Sequence, residues 1–223
     1  MKIAILGTGS VGRTLAARLA GLGHDVTIGT RDTEATLART EGMSHESFAA
    51  WAGEHPAVAL AGFADAAAGA DLVINATNGG ASLDVLTRVG EQILAGRTIL
   101  DLANPLDFSG GMPPTLLVKD TDSLGEQIQR AFPTAHVVKS LNTLTAELMA
   151  YPGNLPEAGT VFVSGNDADA KRTVTALLTD LGHQDVIDLG DITTARGPEM
   201  LLPVWLRLWG ALGTPLFNVK VVR

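Results

Sequence analysis

Gly7-Thr8-Gly9-Ser10-Val11-Gly12 follows the apolar run Lys2-Ile3-Ala4-Ile5-Leu6 and opens a segment carrying Leu15, Leu19 and Leu22. A short apolar run predicts a buried strand, and leucines at i, i+4 and i+7 predict an amphipathic helix, so the glycines fall at a strand-to-helix turn. Each glycine has a distinct role there: Gly7 permits the tight turn, Gly9 lets a pyrophosphate approach the backbone, and Gly12 lets helix pack closely on strand. The free N–H groups and positive dipole end of the helix then suit an anion. A glycine-rich turn alone is weak grounds for a nucleotide site, because such a turn can be purely structural. Its context strengthens it. Gly21-Leu22-Gly23 ends the helix and Asp25-Val26-Thr27-Ile28-Gly29 follows as a second strand, closing a βαβ unit of about 30 residues.

The end of that second strand selects among dinucleotides. A site for the unphosphorylated form places Asp or Glu there to accept from the adenosine ribose, whereas this chain has Thr30-Arg31. A hydroxyl followed by a guanidinium suits a 2′-phosphate, and so NADP is expected; the alternative is that Arg31 is an ordinary solvated turn residue, with Asp32 near enough to compete for its charge.

At 223 residues with 46% hydrophobic content, the chain can build one large α/β core. It has no cysteine, which removes disulfides, thiolate metal sites and cysteine nucleophiles. Its five histidines are scattered, without HxH or HExxH spacing, and no metal site is expected. No apolar run approaches the ~20 residues of a membrane span, and the start lacks a signal-peptide pattern, so a cytoplasmic protein without a membrane partner is expected. The net charge of −8, with 24 acidic and 16 basic side chains and no basic stripe, argues against nucleic acid.

Further along, Thr33 is expected to cap a helix to about Thr40, and Ser44 to begin another containing Phe48 and Trp51. A third strand at Ala57–Leu60 and a turn of helix opening at Asp65 precede Asp71–Thr77, the fourth strand. Asn75, Ala76, Thr77 and Asn78 close that strand, and a helix at Ser82–Leu94 leads to a fifth strand running into Ala103-Asn104. In a doubly wound sheet these strand ends border the crevice where strand order reverses, so all six residues are candidate cofactor contacts, with ordinary turn chemistry as the alternative. Leu106–Asp120 reads as a long loop, and a sixth strand ends in Lys139-Ser140-Leu141-Asn142-Thr143. Lys139 and Asn142 are candidate substrate contacts. Strand, helix and strand follow at Thr160–Ser164, Ala168–Leu181 and Asp185–Leu189, with His24 and His183 at helix ends. Arg196 to Leu212 reads as one apolar helix expected to be buried on both sides, against the core and against either a second subunit or a flat aromatic substrate, with simple core packing of Trp205 and Trp209 as the alternative. Trp205 and Trp209 are its candidate substrate contacts.

The expected architecture is an α/β Rossmann fold, a doubly wound, mostly parallel sheet. Residues 1–150 form the dinucleotide-binding domain, and 151–223 a small C-terminal extension packed on it, or a continuation of the same domain.

Gly7–Gly12, the Gly29-Thr30-Arg31 exit, Asn142-Thr143 and the stretch from Asp188-Leu189-Gly190 to Arg196 resemble the coenzyme F420-dependent NADP oxidoreductase family. The same pattern is similar to the cytosolic reductase domain of the membrane metalloreductases. The resemblance implies an NADP-dependent oxidoreductase passing hydride between NADP(H) and a deazaflavin (F420) or flavin; the apolar last helix, read from its own residues, is where a homodimer contact is expected. By position it assigns Thr8, Thr30 and Arg31 to the 2′-phosphate and Gly9, Ser10, Val11 and Gly12 to the pyrophosphate. The chain departs from the family in carrying Asp32, Thr33 and Glu34 after Arg31. Lys139 and Asn142 are closer to the metalloreductase version of their turn. Two other functions fit the same fingerprint: a reductase of a small carbonyl, imine or ferric substrate, and a non-enzymatic NADP sensor. For a carbonyl or imine, Lys139 is the one candidate proton donor at a strand's carboxyl end, with pairing to a nearby carboxylate or cofactor oxygen as the alternative.

Overall fold

Alternation along the first strand sets the layers. Ile3 and Ile5 point to one face, Ala4 and Leu6 to the other, and all four are buried, because successive side chains of a strand project oppositely. The computed structural model describes residues 1–40 and 47–223. Its strands are β1 (Lys2–Leu6), β2 (Asp25–Thr30), β3 (Val58–Gly62), β4 (Leu72–Asn75), β5 (Thr98–Asp101), β6 (Leu106–Asp107), β7 (Thr115–Leu116), β8 (His136–Lys139), β9 (Thr160–Gly165) and β10 (Asp185–Gly190). Its helices are α1 (Ser10–Gly21), α2 (Thr33–Ala38), α3 (Phe48–Glu54), α4 (Phe63–Ala67), α5 (Ser82–Val89), α6 (Glu91–Leu94), α7 (Leu124–Ala131), α8 (Ala146–Ala150), α9 (Ala168–Leu181), α10 (Arg196–Met200) and α11 (Leu202–Leu212).

Eight strands form one sheet in the order β10-β9-β8-β5-β4-β1-β2-β3. Every pairing in it is parallel except β8 with β9. Strand order reverses between β1 and β4, which places a ligand crevice beyond their carboxyl ends, as in a Rossmann fold. On one face Ile3, Ile5 and Ile74 pack with Leu15, Leu19, Leu148 and Val174. On the other, Leu6 and Val73 pack with Leu86, Val89 and Ile128. Fully burying each such side chain contributes about 1.5–3 kcal/mol.

Several local expectations change. Asp32, not Thr33, caps α2, accepting from the Ala35 amide. Ser44 lies outside the described residues, and α3 is capped by Ser47. Phe63 rather than Asp65 opens α4, behind Gly62. The helix expected over Ser82–Leu94 breaks at Gly90, whose φ is +98°. Leu106–Asp120 is not a plain loop: β6 and β7 form an antiparallel hairpin, closed where the Leu117 amide donates to Pro105 O. β9 and β10 extend the main sheet.

The apolar helix read over Arg196–Leu212 is two helices. Pro203 has no N–H to offer the preceding turn, so α10 ends at Met200 and α11 restarts with the proline in its first turn. Nor is α11 buried all round. Leu202 and Trp205 are buried against the hairpin, while Val204 and Leu212 are 52% and 56% exposed. Among the described residues no helix is long and apolar enough to cross a membrane.

Candidate active site

The glycine turn has the geometry its sequence demands. Gly7 has φ +123°, and a Cβ on it would stand 2.7 Å from Ala76 O. A Cβ on Gly12 would stand 2.1 Å from Gly7 O, so the start of α1 lies directly on the strand exit. Around Gly9 nothing lies within 4 Å of an added Cβ. No side chain caps α1, and its ladder begins with the Arg13 amide donating to Gly9 O. Ser10, Val11 and Gly12 therefore sit ahead of the first rung, where helix N–H groups lack intrahelical acceptors. An open cradle at an uncapped helix start fits a pyrophosphate.

Beside this turn is a cavity of about 320 Å³, lined by Thr8, Thr30, Arg31, Arg39 and Phe63 among others. Both guanidiniums are exposed, and Asp32, the nearest carboxylate in sequence, is committed to capping α2. Arg39 was not legible as a site residue. Its one cue was an arginine closing a helix with no acid three or four positions before it. With Arg31 it forms a donor pair suited to a 2′-phosphate. Thr30 borders the cavity but its hydroxyl turns inward. It lies 2.7 Å from Thr36 Oγ1, and Thr36 donates its own proton to Asp32 O. Thr30 thus donates to Thr36 and retains only acceptor capacity, so the expected hydroxyl donor to phosphate is not there.

The sheet register aligns Asn75, Asp101 and Lys139 across the ends of β4, β5 and β8. All three are buried and linked. Asn75 Nδ2 donates to Asp101 Oδ1 at 2.8 Å and to Ser82 Oγ at 3.0 Å, and Thr77 Oγ1 donates to Asn75 Oδ1 at 2.6 Å. Lys139 Nζ lies 2.8 Å from Asp101 Oδ2 and 2.9 Å from Glu199 Oε1, and also donates to Ala103 O. Burial pushes the Lys139 pKa down, but Asp101 and Glu199 together outweigh it and hold the ammonium above its ordinary value. An ammonium has three protons, and these three acceptors take all of them. Lys139, 1% exposed, consequently has nothing to offer a substrate, contrary to its sequence reading. Asn75 and Ala103 are likewise buried beneath the crevice, whereas Ala76, Thr77 and Asn78 are at least partly open. Asn78 accepts from the Gly80 amide in a 3-10 turn.

A second cavity, of about 180 Å³, lies between the β6–β7 hairpin and α11, with Asn104, Asn142, Phe108, Met112, Trp205 and Trp209 in its lining. Trp205 meets Trp209 edge-on at 5.6 Å between centroids and stacks on Phe217 at 5.3 Å. Among the described residues, none lining this cavity is titratable. A larger concavity, about 710 Å³, lies elsewhere, around His136, Asp167 and Arg130 at the start of β8, and includes none of the predicted site residues.

The predicted residues thus gather into two places, a crevice at the start of α1 and an apolar pocket beside α11, with Lys139 in the lining of neither. Residues 2–105 match the family described as NADP oxidoreductase, coenzyme F420-dependent. A crystal structure from Arthrobacter sp. FB24, provisionally named an F420-dependent NADP-reductase, is 65% identical over the whole of both chains, with a TM-score of 0.96. The F420-dependent NADP reductase of Methanocaldococcus jannaschii is 29% identical over 210 residues, 93% of this chain and 92% of that protein. Metalloreductase STEAP3 of Rattus norvegicus is 29% identical over 211 residues, 92% of this chain. The chain spans only 38% of the length of that relative. The full-length match at 65% identity, together with the uncapped glycine turn and its paired arginines, carries the assignment: the chain belongs to the coenzyme F420-dependent NADP oxidoreductases, a family of NADP-dependent oxidoreductases.

Proposed function

We propose that the chain binds NADP(H) at the α1 crevice and passes hydride to or from a flat heteroaromatic acceptor, a deazaflavin such as F420 or a flavin, held against α11. The observation carrying this reading is the make-up of the Trp205–Trp209 cavity, whose lining among the described residues is apolar and aromatic side chains with two asparagines and no titratable group. Reduction of a carbonyl or imine is helped by a positioned proton donor, and Lys139, the candidate for that task, is spent on Asp101, Ala103 and Glu199. When bound, the dihydronicotinamide supplies the hydride. The chain's own task is alignment and exclusion of water, since such transfers need donor and acceptor atoms at about 3–3.5 Å with faces aligned. Arg31 and Arg39 hold the 2′-phosphate, the α1 start holds the pyrophosphate, Thr77 is oriented by Asn75, and the tryptophans form an apolar wall. The exposed apolar side chains of α11, Val204 and Leu212, support a homodimer contact.

The test mixes purified protein with NADPH and, separately, F420, FMN, a ferric chelate and a simple ketone. NADPH oxidation with F420 or FMN is expected. Oxidation with the ketone or the ferric chelate alone would replace the acceptor class, and NADPH binding without turnover of any of them would mark a sensor.

A further inference from the structure

Glu199 is an acid in the middle of an apolar C-terminal segment, buried to 1% exposure. Oε1 meets Lys139 Nζ at 2.9 Å and the Gly125 amide at 3.1 Å, and Oε2 accepts from the Leu124 amide at 2.8 Å. One carboxylate therefore joins α10 to the start of α7 and, through Lys139 and Asp101, to Asn75 at the end of β4. The neighbouring residue adds a second tie, as Pro198 O accepts from Asn142 Nδ2 at 3.0 Å. Asn142 also donates to Asn104 Oδ1, and both asparagines line the apolar cavity. Leu202 and Trp205, three and six residues beyond Glu199, are part of its wall.

We propose that Glu199 is a positioning residue that fixes the acceptor wall of α10 and α11 against the strand ends carrying the cofactor crevice. The proposal rests on the function proposed above. Two carboxylates share one ammonium in this buried cluster, and desolvating such a network costs enough that well-packed apolar groups of similar volume would hold two helices as well or better. The amides at the start of α7 offset the second negative charge. What the network provides beyond adhesion is a directional tie from Asn75 and Asp101 to the turn that launches α11. Adhesion of α10 has a separate source, because Arg196 forms a two-pronged pair with Glu126 on α7, at 2.8 and 2.6 Å.

The experiment compares Glu199→Gln with Arg196→Ala in the full chain, using NADPH calorimetry, steady-state kinetics with FMN or F420, melting and tryptophan emission. Glu199→Gln keeps the shape but sets an amide against Lys139 or the α7 amides. NADPH affinity should stay within about twofold while the acceptor KM rises about tenfold, and the emission of Trp205 and Trp209 should shift. Arg196→Ala should lower the melting temperature without raising that KM. If Glu199→Gln only melts earlier, with acceptor KM and emission unchanged, Glu199 is a structural anchor and the proposal is overturned. Should Glu199→Gln not fold, Glu199→Asp, which keeps the charge one methylene short, is read by the same criteria. A wild-type chain that binds NADPH but reduces no acceptor would overturn the proposed function, while the emission shift would still decide the tie.

Discussion

Asn104 and Asn142 hold each other across the crevice mouth: Asn104 Nδ2 donates to the Asn142 carbonyl at 2.8 Å, and Asn142 Nδ2 returns a bond to Asn104 Oδ1 at 3.0 Å. The loops after β5 and β8 are thereby fastened to one another. The second amide proton of Asn142 goes to Pro198 O, so its side chain has only an acceptor left. Asn142→Asp keeps the volume and removes both donors, leaving the buried Pro198 carbonyl and the partly buried Asn104 Oδ1 facing a carboxylate. Unsatisfied buried groups cost about 1–3 kcal/mol each. The variant should lose stability on that scale in denaturant titration and bind acceptor less well, with NADPH affinity unchanged. Wild-type stability would show that these bonds do not form.

Two glycine substitutions separate folding from binding. On Gly12 a methyl would stand 2.1 Å from a backbone oxygen that cannot swing aside, so Gly12→Ala should unfold at markedly lower temperature, by more than the roughly 1 kcal/mol that Ala gains over Gly in a helix. On Gly9 the methyl meets nothing within 4 Å, and its φ of −74° suits alanine. Gly9→Ala should melt like the wild type and bind NADPH at least about tenfold more weakly, because the methyl enters the space the pyrophosphate needs. Unaltered NADPH binding would remove the pyrophosphate from this turn.

Arg31 and Arg39 face one cavity, so each should contribute to discrimination between NADPH and NADH. Charge-assisted bonds are worth about 1.5–3 kcal/mol, which sets the expected loss in NADPH affinity at roughly 10- to 150-fold for Arg31→Ala, with NADH little changed. Arg39→Ala should show the same asymmetry, and both effects should weaken with added salt, since both guanidiniums are exposed. Equal losses for the two nucleotides would show that the guanidiniums do not meet the extra phosphate.

Lys139 sets a pH dependence whose sign is fixed. Its folded pKa lies above the usual lysine value, so the folded state keeps the proton longer than the unfolded chain does. The stability it confers is complete below about pH 10.4, the unfolded value, and is lost as pH rises through the folded value. Lys139→Met leaves Asp101 and Glu199 buried without a counter-charge and should cost about 3–5 kcal/mol at neutral pH. Equilibrium unfolding of both forms between pH 7 and 11 checks this; a wild type that loses stability well below pH 10 would place the cause in another group.

What the sequence disclosed follows the range over which each requirement acts. Gly7, Gly9 and Gly12 were legible because a positive φ, an open cradle and a close backbone approach are local demands with one residue type as answer. The parallel strands were legible because strands buried on both faces read as apolar runs. That Lys139 pairs with a carboxylate was one of two readings open in the sequence, but its partners were not legible, because Asp101 comes from β5 and Glu199 from α10 and no spacing rule joins positions 101, 139 and 199. Thr30 looked like a donor until Thr36, on the following helix, was found to take its proton. The break before α11 has its signal in Pro203, whose missing N–H interrupts the ladder, but the apolar residues on both sides of it continue one helical pattern, so the pattern alone reads as a single helix.

That same continuity gives α11 two testable faces. Leu202, Trp205, Leu206 and Trp209 line the cavity, whereas Val204 and Leu212 do not line it and are more than half exposed. If the outer face is a subunit contact, Val204→Asp places an uncompensated charge in an apolar interface, a change costing several kcal/mol. The variant should sediment as a smaller species at concentrations where the wild type is dimeric, with acceptor KM unaltered. Trp205→Ala should do the reverse, raising acceptor KM about tenfold because it removes the aromatic wall, while sedimentation stays the same; the lost buried aromatic should separately lower folding stability by about 3–5 kcal/mol. A wild type that sediments as a monomer at every concentration would leave Val204 and Leu212 as plain surface and remove the dimer, without touching the role of the tryptophan wall.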